Sequence, residues 1–122
     1  LTPANFRIAT ARKLRILADG GSLGAEEDDK LITKYAGLHA MLQGEELAPF
    51  EVDDDVPENC QEPMIDMLAA LSVEEFAIPE PRRSTLLMFG SLFMDPMSPA
   101  ERRLRKVLAT KYVSQTLSTD YY

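Results

Sequence analysis

The 122-residue chain has one cysteine and one histidine. With Cys60 alone, an internal disulfide and a cysteine-based zinc site are both excluded, and a lone thiol fits a reducing cytoplasm. His39 has neither a cysteine nor a second histidine to share a metal with, so its expected place is the edge of a core. With one histidine and no serine nucleophile motif, triad chemistry lacks a candidate set. Gly20-Gly21-Ser22-Leu23-Gly24 has neither the lysine nor the preceding strand of a phosphate loop and reads as a turn. No apolar run approaches the roughly 20 residues that cross a bilayer. Residues 1–17 are too basic and too interrupted for a secretory apolar region. Carboxylates are plentiful, which makes any chosen acid–base pair arbitrary. The expectation is a soluble protein that is not an enzyme and takes no cofactor and no metal.

What the chain does have is apolar material and segregated charge. Hydrophobic residues make up 45%, enough for the core of one domain. The net charge of −7 is unevenly spread. Arg7, Arg12, Lys13 and Arg15 face no acid within residues 1–17, whereas residues 18–62 hold thirteen acids against Lys30 and Lys34. From Arg82 onward the balance is again positive, at +4. Basic ends and an acidic middle either neutralise each other inside one molecule or join unlike faces of neighbours, and the first is the plainer expectation.

The longest helix-like stretch is Val56–Ile78. Met64, Leu68 and Leu71 recur at helical spacing and Ile65, Met67 and Ala69 widen the stripe, which predicts a central helix covered on several sides. Its true start is expected near Pro63 and its stop at Ile78-Pro79-Glu80-Pro81. Thr2-Pro3 opens an earlier helix running to about Leu17. A second helix spans 25–43, its first turn acidic, with Leu31, Tyr35, Leu38 and Leu42 as the stripe, Ile32 and Met41 beside it, Ser22 as an early cap and Gly44 as the stop. A fourth is expected over Arg82–Met94, with Leu86, Phe89 and Phe93 on one face and Gly90 permitting close helix approach. Ser98-Pro99-Ala100-Glu101 carries the signature of a capping box and opens a fifth, with Leu104, Val107, Leu108 and Tyr112 inward. Residues 44–55 form a loop with at most one short strand. There Glu51, Asp53, Asp55 and Glu62 match positions 1, 3, 5 and 12 of a calcium loop, but Val56 stands where that loop needs glycine, so solvated loop charge is expected. Together these elements predict an all-α bundle of four to five helices with a long central helix and an acidic loop. The helical domain is expected over residues 1–113, and 114–122 as an extended C-terminal tail.

Two readings of function remain. A small helical nucleic-acid-binding or regulatory protein would use the basic faces of 7–15 or 102–106 against phosphates, against the acidic balance of the whole chain. The other comes from the order of signals. Ala9-Thr10-Ala11-Arg12-Lys13-Leu14, a glycine-containing loop, an acidic helix start ending in Leu38-His39-Ala40-Met41-Leu42, an acidic loop, and Met67-Leu68-Ala69-Ala70-Leu71 leading to Phe76 resemble the head-to-tail adaptor family of tailed bacteriophages. These are also called connector, head-completion or packaged-DNA stabilisation proteins. The resemblance covers about residues 3–113. Arg15 stands where the family often has glycine, which implies a longer first helix here.

The resemblance implies a structural virion protein at the head–tail junction, made in the host cytoplasm and assembled as a ring, commonly a dodecamer. It implies as partners the portal protein, neighbouring subunits, and tail or nozzle proteins, with packaged DNA passing through the channel unread. In this family the C-terminal tail commonly reaches into the portal, which singles out Leu117, Tyr121 and Tyr122. Charge pattern within such a ring singles out Arg7, Arg12, Arg15, Asp53, Asp54, Asp55, Arg102, Arg103 and Arg105 as subunit contacts.

Overall fold

The computed structural model describes residues 1–17 and 21–120, with side chains as far as Ala109. Among the described residues the chain is all-α, with five α-helices, one short 3₁₀ turn and no strand. The acidic loop is therefore a loop without its possible strand, and Gly20 of the expected glycine turn lies outside the described residues.

Helix α1 spans Pro3–Leu14, with the Thr2 hydroxyl accepting from the Asn5 amide at 3.2 Å and Pro3 at the first position. Phe6, Thr10, Ala11 and Leu14 form its buried face. The helix stops three residues short of Leu17, because Arg15 takes the left-handed conformation at φ 62° and ψ 28°. The Arg15 amide then bonds back to Arg12 O and the Ile16 amide to Ala11 O, a helix-ending pattern ordinarily built on glycine. Ile16 and Leu17 thereby leave the helix axis and cover the core beside Leu14.

Helix α2 spans Ala25–Gly44 and buries Leu31, Tyr35, Leu38 and Leu42 as the spacing predicts, together with His39. Ile32 turns outward at 43% exposure, and the start lies at Gly24 with no side-chain cap, so Ser22 does not serve. The helix ends at Gly44, as expected; Glu46 then takes φ 59°, and the Leu47 amide returns to Leu42 O at 2.7 Å. Leu47, Ala48 and Val56 then bury themselves within the loop.

Helix α3, Gln61–Ser72, follows a 3₁₀ turn at Glu58–Cys60. Pro63 sits in its first turn, where backbone amides have no intrahelical acceptor, so the proline costs no bond. At 12 residues α3 is shorter than α2 and than the last helix, and the expectation of a long central helix is corrected. Its apolar pattern does continue to Ile78, but residues 73–77 leave the helix in turns, Ala77 takes φ 49°, and the Ile78 amide bonds Val73 O at 3.0 Å. Central it is nonetheless, for α3 touches each of the four other helices. Met64, Met67 and Leu68 belong to one apolar cluster with Phe6, Tyr35 and Leu104, while Ala69 and Val73 belong to a second with Ala11, Leu31 and Leu86.

Helix α4 spans Arg82–Gly90 and ends before Met94. Gly90 is where its backbone meets α3: a Cβ there would lie 2.0 Å from Asp66 O and 3.0 Å from Met67 N, so the close approach expected of this glycine is real. Helix α5 begins at Pro99, behind a Ser98 hydroxyl that accepts from the Glu101 amide at 3.4 Å. Glu101 does not complete the capping box; its carboxylate is turned elsewhere, as described below. The α5 backbone stays helical to Asp120, so the extended tail expected from residue 114 is replaced by helix, and Tyr121 and Tyr122 lie outside the described residues.

Candidate functional site

The segment between α4 and α5 is where the chain departs most from its apolar pattern. Gly90 brings α4 onto α3 and Ser91 becomes extended at ψ 136°, which ends the helix early. Phe93 then takes φ 60°, a left-handed conformation that is an outlier for a bulky side chain. It is held there by Glu101, which is 2% exposed: Oε1 accepts the Phe93 amide at 2.9 Å and Oε2 accepts Arg105 Nε at 2.8 Å. A buried, charge-paired carboxylate thus fixes a strained residue whose ring is 56% exposed. Met88, Phe89, Met94 and Met97, all within five residues of it along the chain, are exposed as well, and this apolar segment is termed the ridge. Phe89 and Phe93 are therefore not the core face the helical spacing suggests. The sequence signals that could have revealed this are the Gly90-Ser91 pair and Asp95-Pro96, which end a helix on either side of Phe93.

Beside the ridge lies a groove between α2, α3 and α4. Two cavities of about 360 and 690 Å³ share Lys34, Met41 and Leu71 and so form one depression. Leu38, Met67, Leu92 and Phe93 are among the residues that line the first. Of the charges around it, Glu74 accepts from Arg83 at 3.2 Å and Lys30 lies 5.8 Å over the Phe76 ring.

The charges singled out from the sequence are largely used within the chain. Arg7 pairs with Asp28 at 2.6 Å, and Arg105 reaches both Glu101 and, at 3.8 Å, Glu45. Arg103 lies 3.4 Å from Glu62, and Lys13, which the sequence left unassigned, lies 2.9 Å from Asp66. The basic ends thus meet the acidic middle inside one molecule, the plainer of the two expectations. Arg102 donates to Met97 O at 3.0 Å. Arg12 and Arg15 are exposed and make no ion pair with a described residue. Asp53, Asp54 and Asp55 are exposed on the loop, where Asp54 Oδ2 accepts the Glu51 amide at 3.0 Å. They do not join Arg7 or Arg105 in one surface cluster of unpaired charge. The α5 backbone carries Leu117, whose side chain lies outside the description, as do Tyr121 and Tyr122.

His39 Nε2 donates to Phe50 O at 2.6 Å and its ring lies edge-on between Tyr35 and Phe50, so it ties the loop to α2 at the core's edge. Burial raises the Tyr35 hydroxyl to about 12, and its oxygen has no hydrogen-bond partner among the described residues. Cys60 is a buried thiol. Among the described residues no group of three His, Cys, Asp or Glu side chains converges to hold a metal ion, and Glu51, Asp53, Asp55 and Glu62 form no such cage. No described helix is long and apolar enough to cross a membrane.

Compared with protein-family models, with curated proteins and with solved structures, the chain finds no match.

Proposed function

We propose that this chain is an assembly protein without catalytic function, of the kind that forms the head-to-tail adaptor of tailed bacteriophages. It forms a ring that joins the portal to the tail and helps keep packaged DNA inside. The exposed ridge around Phe93 carries the reading. Large apolar side chains exposed within one segment, on a backbone fixed by Glu101, suit a subunit that assembles. The helix order of the adaptor resemblance adds support, as does Arg15: it adopts the glycine-like conformation at the position where that family often has glycine, so α1 ends there although the residue is arginine. The exposed aspartates of the 53–55 loop suit a channel that DNA must traverse without sticking. Leu117, Tyr121 and Tyr122 remain the segment proposed to dock on the portal, Leu117 from a helical backbone.

Internal pairing of Arg7, Lys13, Arg103 and Arg105 weighs against a basic DNA-reading face. Light scattering of the full chain mixed with portal rings tests the proposal: a stoichiometric high-mass complex is expected, and truncation after Tyr112 is expected to abolish it. A chain that ignores portals but shifts duplex DNA in a salt-dependent manner would replace the adaptor with a small DNA-binding regulator.

A further inference from the structure

Two features that the sequence predicts are missing around Phe93, and one hydrogen bond displaces both. The spacing of Leu86, Phe89 and Phe93 continues a helix to Met94, where Asp95-Pro96 would end it. In the structure the helical ladder reaches only Ser91, whose amide donates to Leu87 O at 3.1 Å. Two rungs further on, the Phe93 amide would meet Phe89 O. It donates to Glu101 Oε1 at 2.9 Å instead. The second missing feature is the capping box. Glu101 stands three residues after Ser98, where its carboxylate would accept the Ser98 amide. That amide donates to no described residue, while Glu101 is turned to Phe93.

Donor and acceptor of this bond thus each have a second partner of ordinary helical chemistry nearby in the chain. The opposing terms can be named. Glu101 is 2% exposed, so its bond to the Phe93 amide is a buried, charge-assisted one, and Leu92 packs against the larger apolar cluster. Against these stand two unmade helical bonds and the φ of 60° at Phe93, which a bulky side chain resists. The Arg105 bond to Glu101 Oε2 lies within α5 and does not require the Phe93 amide.

We infer that residues 91–94 form a two-state helix end thrown by Glu101. In the state seen here, Glu101 takes the Phe93 amide, α4 ends at Gly90 and the ring is exposed. In the second, α4 continues for about one more turn, the Phe93 amide returns to Phe89 O, and Glu101 completes the capping box on Ser98. Phe89 and Phe93 then share one helix face with Leu86. The switch goes beyond the assembly reading and does not depend on it: it sets which side chains of 88–97 a partner meets.

Nuclear magnetic resonance of the full chain separates the states. A positive φ gives Phe93 a strong contact between its own amide and Hα protons, whereas a helix gives Hα-to-amide contacts three residues apart. The unaltered chain should show the first and little of the second from Phe89 to Leu92 or from Gly90 to Phe93. Glu101→Ala should reverse this. Glu101→Gln removes the charge from the bond to Phe93 and retains a side chain able to complete the capping box. Helical contacts should appear, and Ser98 amide exchange should slow about tenfold. Phe93→Ala and Phe93→Gly act without touching Glu101. Alanine favours helix and resists a positive φ, and glycine does the opposite on both counts, so the extended helix should be at least about tenfold more populated in the first. Adding Phe93→Gly to Glu101→Gln should return Ser98 exchange to that of the unaltered chain. Glu101 variants that keep Phe93 at positive φ with no added helical contacts would overturn the switch, as would equal populations in the alanine and glycine variants. The Phe93 pair decides alone where a Glu101 variant does not fold.

Discussion

The six methionines divide into two environments. Met64 and Met67 on α3 are 0% and 1% exposed and Met41 lines the groove, whereas Met88, Met94 and Met97 stand at 62%, 49% and 36%. Met88 and Met94, like Met64 and Met67, lie in segments of apolar helical spacing. What separates them is whether another helix arrives: α3 meets all four of its neighbours, while the chain beyond Gly90 leaves its helix before any partner covers it. Apolar spacing records that a face is meant to be covered, and not by which chain.

Replacing one methionine from each region should break the symmetry of composition. Met64→Ala empties a fully buried site and is expected to cost about 2–5 kcal/mol, whereas Met94→Ala should change monomer stability by less than about 0.5 kcal/mol; urea unfolding measures both. An equal cost would mean the ridge is core. The joint between the regions comes next. Gly90→Ala places a Cβ against the Asp66 carbonyl, so α4 must move off α3, at roughly 1–3 kcal/mol in the same assay.

Tyr35 sharpens the contrast from the buried side. Its hydroxyl ionises at about 12 in the folded chain against 10.0 when unconstrained, so the folded state holds its proton longer. Its contribution is fully present below pH 10 and is lost as pH rises towards about 12, by roughly 2 kcal/mol. Tyr35→Phe should flatten that alkaline slope and, by removing an unpartnered buried hydroxyl, raise neutral-pH stability slightly. An unchanged slope would place the alkaline sensitivity elsewhere. A small gain is expected at Arg15, whose exposed side chain makes no ion pair with a described residue. Arg15→Gly should stabilise by about 0.5–1 kcal/mol, because glycine meets a positive φ without steric cost, and a thermal melt resolves the sign.

Much of the fold was legible because it depends on local rules. The Thr2-Pro3 and Ser98-Pro99 starts, the stripe of α2, the need for glycine at position 90 and the place of His39 follow from capping chemistry, helical period and the scarcity of partners. The candidate site was less so. Phe89 and Phe93 have the spacing of a core face, and nothing in their own types says that Glu101, eight residues on, will hold the Phe93 backbone out of the helix.

The sequence by itself determined the class of the molecule, the faces that must be covered, and the charges available to join its ends to its middle. Only the tertiary structure decided where α1, α3 and α4 end. Arg15, Glu46, Ala77 and Phe93 follow α1, α2, α3 and α4 in turn, each at positive φ and none of them glycine. A side chain resists that conformation locally, so no propensity announces it. It is adopted where the packing of Ile16, Leu47 and Ile78, or the grip of Glu101, outweighs the local strain.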